Sequence, residues 1–101
     1  MRLTKKGFVD WLRSKGPEDK VGISQNSTRC PLGRYLLFAT RRVCHVTSRY
    51  WLDSDSKSHP NPRWAYSFVN AVDGAKRGIT AKRALELLKE RRHWHDGTHT
   101  G

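Results

Sequence analysis

Apolar residues recur at helical spacing in four stretches of the chain and at strand-like spacing in one. Phe8 and Leu12 stand four apart with Val9 and Trp11 beside them. Thr4 precedes them as an N-cap and Gly16-Pro17 follows as a stop, so the pattern predicts a first helix over residues 5–14. Residues 16–26 are polar and read as a surface loop anchored by Val21 and Ile23. Leu32, Tyr35, Leu36 and Ala39 then fall at i, i+3, i+4 and i+7, which predicts a second helix with these four on its buried stripe. Ser27 or Thr28 is its expected cap, and Pro31 sits in the first turn, where a missing N–H costs least.

The second half of the chain alternates between two kinds of pattern. Residues 43–52 are rich in β-branched and aromatic side chains and predict a strand, whose partner is residues 20–24, the Gly78-Ile79 approach, or a second copy of the chain. Residues 53–62 are hydrophilic and turn-rich and are predicted to be mobile. Asn61 is the expected cap of a third helix beginning at Pro62 or Arg63, with Ala65, Phe68, Val69 and Val72 on one face and Asp73-Gly74 at its end. The last helix starts after Thr80, carries Ala81, Ala84, Leu85 and Leu88 on one side and ends in the charged residues 89–92. The fold class expected is α+β, mainly helical, with about four helices and one short strand or small sheet. Its expected core is Phe8, Leu12, Leu32, Leu36, Val46, Phe68, Val72, Leu85 and Leu88. Residues 1–92 read as a single compact basic domain, and residues 93–101 as a flexible tail carrying His93, His95 and His99.

Composition narrows the partners more than it narrows the fold. The chain has 101 residues, 36% of them hydrophobic, enough for one modest core and too few for two lobes with a cleft between them. Twenty Lys and Arg against nine Asp and Glu leave a formal charge of +11, a field that attracts polyanions and makes nucleic acid, DNA or RNA, the leading partner class. An acidic mimic of nucleic acid is excluded by sign. The longest apolar run, residues 35–39, is five residues, whereas a bilayer span needs about 20. With no signal-peptide core either, the expectation is a cytoplasmic protein with no membrane partner, in which Cys30 and Cys44 are free thiols.

The positive charge is spread along the chain, and no run of Lys and Arg exceeds two residues. One segment differs from the rest: residues 29–49 hold five arginines, Arg29, Arg34, Arg41, Arg42 and Arg49, with no lysine and no acid. Arginine suits bidentate phosphate contacts and stacking on bases, so these five, with Lys82 and Arg83 on the last helix, are the candidate contacts to nucleic acid or to a partner. Tyr50 and Trp51 adjoin Arg49, and Trp64 follows Arg63, so these three aromatics are candidate stacking groups of the kind that single-strand surfaces use. A helix-turn-helix reading of the last two helices, with Lys76 and Arg77 in the turn, is weaker than a plain helical hairpin. The connector exceeds the usual turn of about 3–4 residues, and Glu86 and Glu90 on the exposed side would repel phosphates. A third option is a homodimer formed through the edge of residues 43–52.

Catalytic and metal chemistry find little support. Cys30, Cys44, His45, His59, His93, His95 and His99 are ligand types, but no CxxC pair or zinc-finger spacing occurs, so neither a metal nor any other cofactor is expected. Cys44 and His45 are neighbours on a predicted strand and point to opposite faces, which denies them a nucleophile–base contact. A hydrolytic nuclease normally needs a carboxylate cluster to hold a metal, and the nine acids here are scattered along the chain. No catalytic residue is assigned, and the chain is not expected to be an enzyme.

The succession Phe8-Val9-Asp10-Trp11-Leu12, Cys30-Pro31-Leu32-Gly33-Arg34-Tyr35-Leu36 and Gly78-Ile79-Thr80-Ala81, followed by Ala84, Leu85, Leu87 and Leu88, resembles small uncharacterised reading frames of bacteria and their phages. That resemblance implies a short, basic, phage-type accessory protein. Such a protein binds nucleic acid or, in the alternative, acts as an inhibitor or adaptor that docks on a host nucleoprotein assembly such as a defence complex, in the manner of an anti-CRISPR.

Overall fold

In the computed structural model of the chain, residues 2–75 and 78–88 are described. The elements in chain order are α1 (Lys5–Arg13), β1 (Lys20–Ile23), α2 (Pro31–Thr40), β2 (His45–Val46), β3 (Tyr50–Leu52), β4 (Ser58–Pro60), α3 (Arg63–Asp73), β5 (Gly78–Thr80) and α4 (Ala81–Leu87). Among the described residues, four helices and five strands in two antiparallel sheets, 44% helix and 18% strand, correct the expectation of a mainly helical chain with one short strand or small sheet. The strands are two to four residues long, too short for an alternating pattern to show in the sequence.

The long predicted strand is in fact a meander. Thr47 reverses the chain, its N–H and hydroxyl both donating to the Tyr50 carbonyl at 2.9 Å, so that β2 returns as β3. Residues 53–62, expected to be mobile, turn instead into β4, which pairs with β3 through Trp51↔His59. What orders this hydrophilic stretch is the Asp53 carboxylate. Its Oδ1 accepts the backbone N–H groups of Asp55 at 2.9 Å and Lys57 at 3.0 Å, an Asx-type turn in which Ser56 takes a positive φ of 63°. The two segments proposed as partners for the long strand pair with each other: β1 and β5 are antiparallel, with Lys20 opposite Thr80 and a register irregularity at Val21. β5 occupies the connector between α3 and α4, which removes the turn that a helix-turn-helix reader requires.

Caps explain where three of the helices begin. Thr4 accepts the Gly7 N–H at 3.1 Å at the start of α1, and Thr80 accepts the Arg83 N–H at 3.0 Å at the start of α4. α2 departs from expectation, because neither Ser27 nor Thr28 caps it. Cys30 does, its Sγ accepting the Gly33 N–H at 3.3 Å, while the Asn26 side chain holds the preceding turn through Thr28 and Arg29. Asn61 likewise does not cap α3. Its Nδ2 reaches back to the carbonyls of Thr47 at 2.7 Å and Ser48 at 3.0 Å, tying β4 to the β2–β3 turn, and α3 starts at Arg63 with Pro62 in the capping position and no side-chain cap.

The core is aromatic at its centre. Phe8 lies 5.1 Å from Phe68, 5.4 Å from Tyr35, 5.8 Å from Trp64 and 6.0 Å from Trp11, between ring centroids, so α1, α2 and α3 meet on one side chain. All nine expected core residues are buried, together with Val21 from β1, Ile79 from β5 and both cysteines. α2 approaches β1 so closely that a Cβ on Gly22 would stand 2.5 Å from the Pro31 nitrogen and 2.7 Å from the Arg29 carbonyl oxygen, which only glycine permits. Lys76, Arg77, residues 89–92 and the tail of residues 93–101 lie outside the described residues. Among the described residues no helix is long and apolar enough to cross a membrane.

Candidate nucleic-acid interface

α2 organises the basic segment because it buries only part of its circumference. Leu32, Tyr35 and Leu36 face the core, but Ala39, the fourth member of the predicted stripe, is exposed. The outward side consists of Arg34, Leu37, Phe38 and Arg41, again at i, i+3, i+4 and i+7, with Leu37 44% and Phe38 64% exposed. Val43 lies exposed just beyond. Phe38 is braced from behind by Trp11 and Tyr35, at 6.3 and 6.5 Å, so the apolar strip rests on the aromatic core rather than hanging free. A signal for this strip lies in the sequence: five consecutive apolar residues, 35–39, sweep more than a full turn of a helix and cannot all point inward.

The arginines are distributed around this helix. Arg29 precedes its N-terminus, Arg34 is in its first turns, Arg41 is its C-cap, and Arg42 follows; all are exposed, as is Arg49 in the β2–β3 turn. A helix of ten residues is about 15 Å long, so Arg29 and Arg41 mark the two ends of a surface rather than one cluster. Among the described residues no carboxylate pairs with Arg29, Arg34, Arg41 or Arg49, and Arg42 has only the Ser54 hydroxyl, at 3.4 Å. Lys82 is half-buried and Arg83 is engaged with Glu86 at 3.3 Å, so the two α4 candidates lie on a different helix from the α2 group and are less open to a partner. Arg41 also holds a left-handed backbone, φ 61° and ψ 24°, a conformation that favours glycine.

The three proposed stacking groups have different fates. Tyr50 is exposed and Trp64 half-buried against Phe8. Trp51 is only 3% exposed and is covered by the His59 ring, stacked on it at 4.2 Å and 17°, so it is no open platform for a base. The alternation of a strand turns Tyr50 outward and Trp51 inward. His59 is itself held by Asp53, Nε2 to Oδ2 at 2.8 Å. That hydrogen bond, followed by those from the Lys57 and Asp55 N–H groups, holds the Asp53 carboxyl below the usual carboxylate range. The sequence marks His59 only as a ligand type and gives no sign of its pairing with Asp53, because a hairpin through residues 53–62 is what brings them together.

The Trp51–His59 pair forms a wall shared by two clefts. On one side lie Thr40, Arg42, Cys44, Asp53, Ser54 and Asp55. This side gathers a thiol, an imidazole and a carboxylate, yet it does not form a nucleophile–base relay. Cys44 is buried with its thiol directed to the Arg42 carbonyl at 3.5 Å and within 3.7 Å of the Thr40 hydroxyl, and no hydrogen bond links it to His59. Cys30 is equally withdrawn, and burial raises its thiol above the ordinary range. Cys44 and His45 face opposite ways, one buried and one exposed. On the other side of the wall an acid-free cleft of about 620 Å³ is bounded by Arg2, Trp64, Asn61 and two prolines. Among the described residues no group of three or more His, Cys, Asp or Glu side chains is placed to hold a metal ion.

Comparison with protein families, with curated proteins and with solved structures finds no match to this chain.

Proposed function

We propose that this protein is a non-catalytic binder of nucleic acid that contacts phosphates through the arginines around α2 and the β2–β3 turn. The observation that carries the reading is the state of the charges. Five exposed arginines occupy a segment without acids, and among the described residues none of them is neutralised by a carboxylate. Their charge is left uncompensated in the free protein, and a polyanion compensates it while releasing its own counterions. The backbone of Arg41 supports the same reading, since a position whose conformation favours glycine carries an exposed charged side chain here. The setting is that of a small phage-type or bacterial accessory protein working in the cytoplasm.

Titration of labelled single- and double-stranded DNA and RNA over a range of salt concentrations tests this. If about five phosphates are neutralised, log K falls against log salt with a slope of roughly −4 to −5 on duplex DNA. Absence of binding at low salt rejects the reading.

One observation favours a second reading, docking on a protein or on the protein surface of a nucleoprotein complex, as an inhibitor or adaptor. Leu37, Phe38 and Val43 are exposed apolar groups flanked by Arg34, Arg41 and Arg42, and an apolar centre with an arginine rim is the make-up of a protein interface. A pull-down from host lysate with and without nuclease separates the two, because only the protein reading retains a specific partner after digestion.

A further inference from the structure

The acid-free cleft on the far side of the Trp51–His59 wall lies apart from the outward strip of α2, and its chemistry is more specific than a basic surface. We infer that it takes one unstacked nucleotide of a single strand, so that the protein holds single-stranded nucleic acid in preference to duplex. This inference rests on the nucleic-acid reading above and adds to it a site and a strand preference.

Its size comes first. The open volume of about 620 Å³ falls within the range of roughly 300–1,000 Å³ typical of small-molecule sites, and one base with its sugar and phosphate is a ligand of that class. The walls come next. The indole of Trp64 lines the cleft and is backed by Phe8 at 5.8 Å and 24°; the His59 ring is pinned flat on Trp51 and fixed at its edge by Asp53. Two flat surfaces are therefore immobilised before any ligand arrives, which lowers the entropy lost when a base stacks on them.

Charge selects among flat ligands. Arg2 is the cation that lines the cleft among the described residues, and the Asn61 N–H donates to the Arg49 carbonyl at 2.9 Å, which ties the cleft's Asn61 to the backbone of the β2–β3 turn. Among the described residues no aspartate or glutamate lines this side, whereas Asp53 and Asp55 line the other side of the same wall. A phosphate therefore meets Arg2 and no carboxylate on one side of the Trp51–His59 pair, and Arg42 offset by two carboxylates on the other. A base within a duplex cannot enter, because its faces are covered by its stacked neighbours; a base in a single strand swings out at modest cost.

The test uses the full chain, a fluorescein-labelled deoxythymidine 12-mer and a hairpin duplex of equal charge, with affinities measured at two salt concentrations for wild type, Trp64→Leu and Arg2→Gln. Wild type is expected to bind the single strand at least about tenfold more tightly than the duplex, and Trp64→Leu to lose about tenfold on the single strand with duplex binding unchanged, in line with base–aromatic stacking. Arg2→Gln, an exposed substitution that spares the core, is expected to flatten the single-strand salt slope by about 0.7. Photocrosslinking of a 4-thiothymidine 12-mer is expected to label peptides containing His59 or Trp64, a readout independent of whether Trp64→Leu folds. Binding of both probes with no strand preference, no response to either variant and no such crosslink overturns the cleft proposal and leaves the α2 surface in place. Failure to bind either probe at low salt overturns the nucleic-acid reading with it.

Discussion

Replacing Arg41 by glycine is expected to stabilise the protein while weakening its binding. Arg41 ends α2 with φ 61° and ψ 24°, and its N–H donates to the Leu37 carbonyl at 2.7 Å. An L-residue in the left-handed region costs about 1–2 kcal/mol through the crowding of its Cβ against the carbonyl oxygen, and glycine has no Cβ. Glycine keeps the backbone hydrogen bond. Because the Arg41 side chain is exposed and has no ion pair among the described residues, its removal leaves no buried group unsatisfied. Against the gain stands the greater backbone freedom of glycine in the unfolded chain, about 0.5–1 kcal/mol. The net expectation is a stabilisation of roughly 0.5–1 kcal/mol, which for a domain of this size raises Tm by about 2–8 °C. Thermal melts by circular dichroism measure the first half, and the salt dependence of nucleic-acid binding measures the second, where the slope is expected to flatten by about 0.7–0.9 for one lost phosphate contact. A lower Tm for Arg41→Gly would refute the claim that arginine is held there against the backbone's preference. Unchanged binding would remove Arg41 from the interface.

Neighbouring leucines on α2 provide a second contrast: Leu36 is fully buried and Leu37 is 44% exposed, so Leu36→Ala is expected to cost about 2–5 kcal/mol and Leu37→Ala under about 1 kcal/mol in urea unfolding. Equal losses would mean that the outward strip is not a free surface. Gly22→Ala is expected to destabilise by about 1–3 kcal/mol, since the added Cβ meets the backbone of Arg29 and Pro31 at 2.7 and 2.5 Å; a neutral result in the same assay would contradict the close approach of β1 and α2. Asp53→Asn retains an Oδ1 acceptor for the N–H groups of Asp55 and Lys57 but loses the Oδ2 bond to His59. Because the folded-state pKa of Asp53 lies below its unfolded value, its contribution is complete above about pH 5 and is lost as pH falls through the unfolded and then the folded-state value. The stability gap between wild type and Asp53→Asn is therefore expected to be constant near neutrality and to close under acid, and a gap that widens under acid would reverse the assignment.

The helices, their threonine caps and the composition of the core are determined by local sequence. Phe8 with Leu12, Leu32 with Leu36, and Ala65, Phe68 and Val72 repeat at the period of a helix, and a helix forms its hydrogen bonds within a few residues of chain. The arginine surplus is equally local, since counting residues 29–49 requires no structure. The sheets and the site were decided elsewhere. β1 pairs with β5 across most of the chain, and β4 exists because Asp53 folds a polar turn and His59 lies flat on Trp51. Strand partners are chosen by tertiary contact, and strands this short carry too few residues for alternation to show. Trp51 passed for an exposed aromatic and Ala39 for a buried one for the same reason: periodicity identifies a face, but only the neighbouring elements determine whether that face is covered. Length and charge thus bear on the class of partner proposed, and packing decided which surfaces stand open to one: the outward strip of α2 and the cleft beside Trp64.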